Sequence, residues 1–366
     1  MASTLFSPIT LRGLTIPNRI TVAPMCQYSA RDGVPQDWHL VHLGQFALSG
    51  SGLIFTEATG VEPEGRITPG CTGLYDDDTE AAFTRIVSFM KSVGQMAVGI
   101  QLGHSGRKGS TVAPWLGGGM IEGDGAWHPP APSAVPYLPG WPAPDPMGDA
   151  DLSRVKQAFV DATRRADRAG FDIIQLHVAH GYLLHQFLSP ITNRRDDAYG
   201  GSLQNRMRYP LEVFRAVRDA FPEEKPVMVR LSASDWIEGG WDIDQSIAFC
   251  RALRDMGCDM VDVSSGGIDQ AQKITAGPGY QVDFSARIRA ETGMPTMAVG
   301  QITDPVQAET ILRTGQSDMV ALARGMLWDP RWAWKAAVAL DEEISLPAPY
   351  ARCNPKLRST PFVSRN

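Results

Sequence analysis

A closed (β/α)8 barrel is the fold this sequence predicts, and three observations carry the prediction. Eight short apolar runs recur along the chain, at Ile20–Ala23, Leu53–Glu57, Met96–Leu102, Ile173–Val178, Val227–Leu231, Met260–Val263, Thr296–Val299 and Met319–Ala323. They are continuously apolar rather than alternating, the pattern of parallel strands covered on both faces. Amphipathic segments fill the gaps between them, and strand and helix alternate through eight units, which close into a barrel in preference to an open doubly wound sheet.

Taken in order, the first run is followed by Asp37 opening WHLVHLGQFAL, an acidic residue where a helix N-terminus wants one. The third run leads to Trp115–Pro146, rich in Gly, Pro and Trp, which reads as a long loop over one face. Asp151 then opens LSRVKQAFVDATRRADRAG, and Asp304-Pro305 opens VQAETILRTG. Helices of this kind stop at Gly50, Gly170, Gly257 and Gly315, where a left-handed residue is needed. Residues 1–366 are thereby read as one domain.

Composition narrows the function. A net charge of -6 argues against a nucleic-acid surface or a polybasic membrane patch. MASTLFSPITLRGL contains no secretory apolar segment, and no run approaches ~18 uninterrupted apolar residues. The five cysteines, Cys26, Cys71, Cys250, Cys258 and Cys353, form no CxxC pair, disulfide framework or iron–sulfur run. A cytoplasmic protein without a metal site is expected.

In such barrels the chemistry sits in the loops at the C-terminal ends of the strands. Those ends carry Pro24–Tyr28, Ala58, Gln101, His104, Arg107, Lys108, His177, His180, Tyr182, Arg230, Ser264–Gly267, Gly300 and Ala323-Arg324-Gly325. Taken alone, two histidines three apart are more often satisfied core or loop residues. With Tyr182 two residues on, and the chain leaving its strand in a tight turn, they can converge on one oxygen and one carbon of a ligand, as carbonyl activation requires. Gly300 and the Ala323-Arg324-Gly325 turn suit a phosphate, because small residues admit backbone N–H groups and a guanidinium forks onto the oxyanion. A cation at the end of a barrel strand, Arg230, must be paired or face a ligand. A flavin meets that need, since its N1/C2 carbonyl edge gains negative charge on reduction, and the Gln101 amide can meet the same ring.

The segments APMCQY (Ala23–Tyr28), EGRITPG (Glu64–Gly70), QLGHSGRK (Gln101–Lys108), LHVAHGYLLHQFLSP (Leu176–Pro190), TNRRDDAYGGSLQNR (Thr192–Arg206) and ALARGML (Ala321–Leu327) resemble the Old Yellow Enzyme family, and within it the thermophilic-like branch of bacterial ene-reductases and xenobiotic reductases. The resemblance spans about Leu5 to Arg352. It implies a barrel capped by an N-terminal hairpin around Phe6–Arg19, with one non-covalent FMN over the strand ends. FMN contacts would come from Ala23, Pro24, Met25, Cys26, Ala58, Gln101 and Arg230, and its phosphate would rest on Gly300, Ala323 and Arg324. His177 and His180 match the pair that binds a substrate carbonyl or nitro oxygen, Tyr182 the proton donor, Tyr28 a further substrate-binding phenol, and Cys26 the branch's flavin-modulating thiol. Arg352, in a tail (345–366) at a subunit interface, would reach into a neighbouring active site of a homodimer or homotetramer.

The activity implied is ping-pong reduction of the activated C=C bond of enones, and of nitro compounds, at the expense of NADPH or NADH. Nothing in the sequence selects one nicotinamide, because a Rossmann fingerprint is missing. Ile302 and Cys353 stand where some xenobiotic reductases carry tryptophan, so pocket shape departs from those relatives. A flavin-free phosphate-binding isomerase or aldolase is the alternative, although a Schiff-base lysine at a strand end is absent, Lys108 lying beyond its strand. A dienoyl-CoA-reductase-type enzyme would need a cysteine cluster and several hundred more residues.

Overall fold

The computed structural model describes residues 2–343 and 345–354. Eight parallel strands close on themselves: β3 (Ile20–Val22), β4 (Leu53–Gly60), β5 (Ala97–Gly103), β8 (Ile173–Val178), β9 (Val227–Ser232), β10 (Val261–Ser264), β11 (Thr296–Val299) and β12 (Met319–Leu322), with β12 paired to β3. Each expected run is a barrel strand, and the ends are corrected in both directions. Ala23 and Ala323 lie just outside β3 and β12. Ala58, Gln101, Arg230 and Ser264 lie inside their strands rather than after them, β4 running on to Gly60 past a register shift between Phe55 and Ala58. Hydrophobicity drops where polar side chains line the barrel mouth, while the backbone ladder continues.

The interior has two levels. At the N-terminal ends of the strands, Met228, Met260, Met297 and Met319 pack with Leu53, Phe55 and Ile173. Thioether side chains are unbranched and fill an irregular tapering space. Beneath them sits the expected hairpin, β1 (Ile9–Leu11) and β2 (Leu14–Ile16), whose Leu11 and Ile16 join this cluster. Arg12 bonds to Asp259 and to the Gly257 and Glu223 carbonyls, so the hairpin closes the bottom of the barrel. A larger apolar shell joins the outer faces of the strands to the surrounding helices.

Helix starts follow the expected chemistry with two shifts. Asp304 caps α8 (Pro305–Arg313) by accepting from the Gln307 N–H at 2.8 Å. Gln36, not Asp37, is the N-cap of α1 (Asp37–Ala47), and Gly148 precedes α3 (Asp149–Arg168), with Asp151 reaching back to its N–H. The four helix-ending glycines all have positive φ, between 74° and 90°. No helix among the described residues is long and apolar enough to cross a membrane.

The loop at Trp115–Pro146 is pinned at its base, where β6 (Pro130–Ala131) pairs with β7 (Asp145–Pro146). Arg195 donates to the Pro132 and Met147 carbonyls, and Arg107 to those of Val135, Pro136 and Ile268. Asn193 donates to the Phe187 and Tyr199 carbonyls. The TNRRDDAYGGS stretch therefore holds the loops that surround the site and does not itself enter it.

Candidate active site

Two adjoining polar regions open at the C-terminal end of the barrel. One is a cavity of about 500 Å³ running from Arg230 past Tyr280 and Gln281 to Gly300, Ala323 and Arg324. Gly300 has φ +131, and a Cβ there would stand 2.9 Å from the Gln281 amide nitrogen, so the backbone needs glycine. Gln281 is fixed by donating to the Val299 carbonyl and accepting from Ser265 Oγ at 2.6 Å. Arg324 opens the short helix α9 (Arg324–Trp328), with Ala323 at its N-cap.

Arg230, in the wall of this cavity, ends a row of polar side chains inside the barrel. Ala58 and Gln101 are register partners, as are Gln101 and Gln175. Arg230 is buried, stands 3.4 Å from Asp262, and leaves its Nε without a hydrogen-bond partner among the described residues. The Ala23 N–H bonds to the Leu322 carbonyl and so continues the β3–β12 edge into Pro24 and Met25.

The second region is built on the turn after β8. His177 and His180 rings lie 5.1 Å apart and nearly perpendicular, and His177 stands 4.9 Å from the Tyr182 ring. His180 is held at φ 58, a strained value for a residue with a side chain. Its N–H bonds to Ser232 Oγ, and the Lys108 ammonium grips its carbonyl at 2.9 Å. Gly181 is forced, because a Cβ would meet the Gly267 carbonyl oxygen at 2.1 Å.

The hydrogen bonds assign the His177 proton. His177 Nδ1 accepts from the Ala179 N–H, so its proton is on Nε2. Ser264 Oγ is 2.7 Å from His180 Nε2, and both Ser264 Oγ (3.4 Å) and Ser265 Oγ (2.6 Å) donate to the two lone pairs of Gln281 Oε1. Ser264 thus holds the His180 ring through Nε2 and leaves Nδ1 as the ring nitrogen free for a ligand. Burial first, and then the Arg230 charge, hold both imidazoles well below the usual range, so both are neutral. Burial likewise pushes the Tyr182 phenol well above its usual value, and it remains protonated. Tyr28 (φ 50) packs edge-on against Trp115 of the long loop at 5.6 Å, and burial raises its phenol too.

Residues 4–343 match the profile of the NADH:flavin oxidoreductase / NADH oxidase family. The chain is 44% identical over 354 residues to an NADPH dehydrogenase of Geobacillus thermodenitrificans, covering 96% of this chain and 99% of that one. It belongs to the Old Yellow Enzyme family. Morphinone reductase superposes with a TM-score of 0.77 at 28% identity, covering 95% of this chain and 92% of that one. A 2-naphthoyl-CoA reductase gives 0.82 at 22% identity, the chain covering 91% of itself and 52% of that protein, a likeness of fold alone. This Old Yellow Enzyme homologue is thus a flavin-dependent oxidoreductase, with FMN as its cofactor and a reduced nicotinamide as electron donor. The residues present fit FMN: a cavity of the right extent, an unpartnered buried guanidinium nitrogen at one end and a glycine-lined turn with Arg324 at the other.

In this homologue Cys26 meets the thiol of Cys71, and that contact first, then burial, raises its pKa well above the usual range. Arg352 lies exposed on a turn (Ala348–Cys353) that packs on α10 (Trp332–Ala339) through Tyr350 and Trp334. Its own chain does not bring it to His177. The 355–366 part of the expected interface tail lies outside the described residues.

Some residues around the site take a place that strand ends alone do not give. Lys108 lies beyond its strand, yet its Nζ sits 5.0 Å from the Tyr182 ring and 4.8 Å from the Tyr137 ring. Burial first, then Arg107, pushes its pKa down to about 8. Tyr280 and Gln281 stand far from any strand end, and no local signal marks them. Gln175 and Asp262 do carry one, being polar residues inside apolar runs. Three further histidines are structural. His39, His104 and His185 each accept a backbone N–H at Nδ1 and set Nε2 3.0–3.1 Å from a buried carboxylate, Glu57, Glu62 and Asp235 respectively.

Proposed function

We propose that this protein is an NAD(P)H-dependent FMN ene-reductase, acting on the activated C=C bond of α,β-unsaturated carbonyl compounds and on nitro compounds. The observation that carries the reading is the pair of neutral, perpendicular imidazoles with the protonated Tyr182 phenol 4.9 Å from His177, beside the cavity ending at Arg324. FMN held there would supply the hydride chemistry, from the nicotinamide to the substrate β-carbon by way of N5. The His177 and His180 imidazoles, the former through Nε2–H, bind the substrate oxygen and stabilise the charge that develops there. Tyr182 then donates its proton to the α-carbon. Tyr28 and the overlying Trp115 bound the pocket. Gln101 and Arg230 hold the flavin ring, Ala23, Pro24, Met25, Cys26 and Ala58 line it, and Gly300, Ala323 and Arg324 hold the phosphate. Nicotinamide and enone use the same open face in turn, which makes the kinetics ping-pong.

The same reading assigns a homo-oligomer in the cytoplasm, with Arg352 serving a neighbouring copy. An exposed apolar strip on one side, Trp38 and Val41 of α1 with Phe89 of α2 (Asp77–Val93), supports an interface, and the five free thiols suit a reducing compartment. The deciding experiment is the visible spectrum of the purified protein, followed by anaerobic NADPH and then 2-cyclohexenone. Flavin bands near ~450 nm should bleach and return. A protein that stays colourless after FMN reconstitution overturns the reading in favour of a flavin-free phosphate-binding barrel.

A further inference from the structure

Four strands carry a row of buried polar side chains that ends at Arg230 in the cavity wall: Gln101 from β5, Gln175 from β8, Asp262 from β10 and Arg230 from β9. They are joined in sequence. Gln101 Nε2 donates to Gln175 Oε1 at 2.6 Å, Gln175 Nε2 donates to Asp262 Oδ2 at 3.1 Å, and Arg230 stands 3.4 Å from that same oxygen. Arg230 and Asp262 are also direct register partners.

A carboxylate only accepts hydrogen bonds. Gln175 must therefore turn its NH2 group toward Asp262 and its carbonyl toward Gln101. Gln101 must in turn point its NH2 toward Gln175, which leaves its oxygen as the free acceptor. The orientation of an amide two side chains away thus follows from the acid at the end of the chain. The same acid is the counter-charge for a guanidinium that would otherwise be buried unpaired, an arrangement costly enough to be avoided in proteins.

We propose that Asp262 is a positioning residue for the flavin: it makes Gln101 present a carbonyl oxygen, matched to the ring's N3–H, and it offsets Arg230 so that the flavin is harder to reduce than a lone guanidinium would leave it. This rests on the reading that Gln101 and Arg230 face FMN. The ring edge near Arg230 gains negative charge on reduction, so removing the carboxylate leaves more net positive charge there and favours the reduced form.

The test uses FMN-loaded protein. Asp262→Asn should make reduction of the bound flavin at least tenfold more favourable, about 30 mV upward for a two-electron couple, in a redox-dye equilibration. Gln175→Met cuts the amide chain while leaving Asp262 beside Arg230. It should leave the potential within a factor of about three in equilibrium constant, and abolish most of the wild-type preference for FMN over N3-methyl FMN, at least tenfold, in a binding titration. An unchanged potential in a D262N protein that binds and reduces FMN overturns the charge role. Undiminished discrimination in Q175M overturns the orienting role and decides the matter if D262N does not fold. Wild-type protein that binds no FMN at all fails the functional reading instead, a distinguishable result.

Discussion

The two halves of the proposed site are built by different means. Around His177, His180 and Tyr182 the groups aimed at a ligand are side chains, each locked by a second contact: Ala179 N–H on one imidazole, Ser264 on the other, Lys108 beside the phenol. At the proposed phosphate end the lining includes a glycine at φ +131 and one guanidinium, that of Arg324. Chemistry that moves a proton to a particular carbon demands fixed atoms, and fixing them here includes holding His180 at a positive φ. Holding a phosphate demands only convergent N–H groups and positive charge. Substitutions in the first half should therefore disturb rates, and those in the second should disturb cofactor affinity.

The largest expected effect tests the first half directly. Tyr182→Phe should slow oxidation of the reduced enzyme by 2-cyclohexenone ~100- to 10,000-fold, the usual range for losing a positioned acid, and leave NADPH-driven reduction unchanged. Stopped-flow traces of the separate half-reactions decide it, and unchanged turnover removes Tyr182 from the role. Next, His177→Ala should weaken phenol binding ~10- to 100-fold, measured by the long-wavelength charge-transfer band, because a neutral donor held in a buried site is lost. Equal phenol affinity in the variant would move the oxygen anchor elsewhere.

The same contrast explains what could be read before any coordinates. The eight strands were legible because both faces of each are covered, so apolarity is continuous. The rim residues were legible because the barrel converts sequence position at a strand end into position in the site. Lys108 is legible as a rim residue, but its place beside the phenol is not, because a lysine stem crosses the gap from a turn beyond β5. Tyr280 and Gln281 come from a loop with no periodic signal, and only the closure of the barrel sets them beside Gly300. Asp262 was visible as an acid within VDVS, but its meaning needs the cross-strand register with Arg230. The highly specific TNRRDDAYGGS stretch shows the converse case, a motif that marks the family and serves the scaffold.

At the phosphate end, Gly300→Ala places a methyl 2.9 Å from the Gln281 nitrogen and strains a φ of +131. FMN affinity should fall ~10-fold in a fluorescence titration, since about 1.4 kcal/mol of strain or displacement is that factor, with rates at saturating FMN close to wild type. A matching loss of oxidative rate would break the division between the halves.

The last prediction concerns how Lys108 supports the phenol. Tyr182 becomes negative as it gives up its proton, and the Lys108 ammonium lies 5.0 Å from its ring and 4.8 Å from that of Tyr137, with Arg107 as the cation that helps to lower its pKa. Lys108 is charged below about pH 8 and loses its charge above it. The wild-type oxidative half-reaction should accordingly fall ~10-fold as pH rises from 7 to 9, a modest share of the attraction between unit charges at this separation. Lys108→Met should be slow and flat across the same range, whereas Lys108→Arg, which stays charged, should be flat and fast. A decline that survives in the arginine variant would assign the pH dependence to another group, and would leave Lys108 as a clasp between the His180 and Gly267 carbonyls and nothing more.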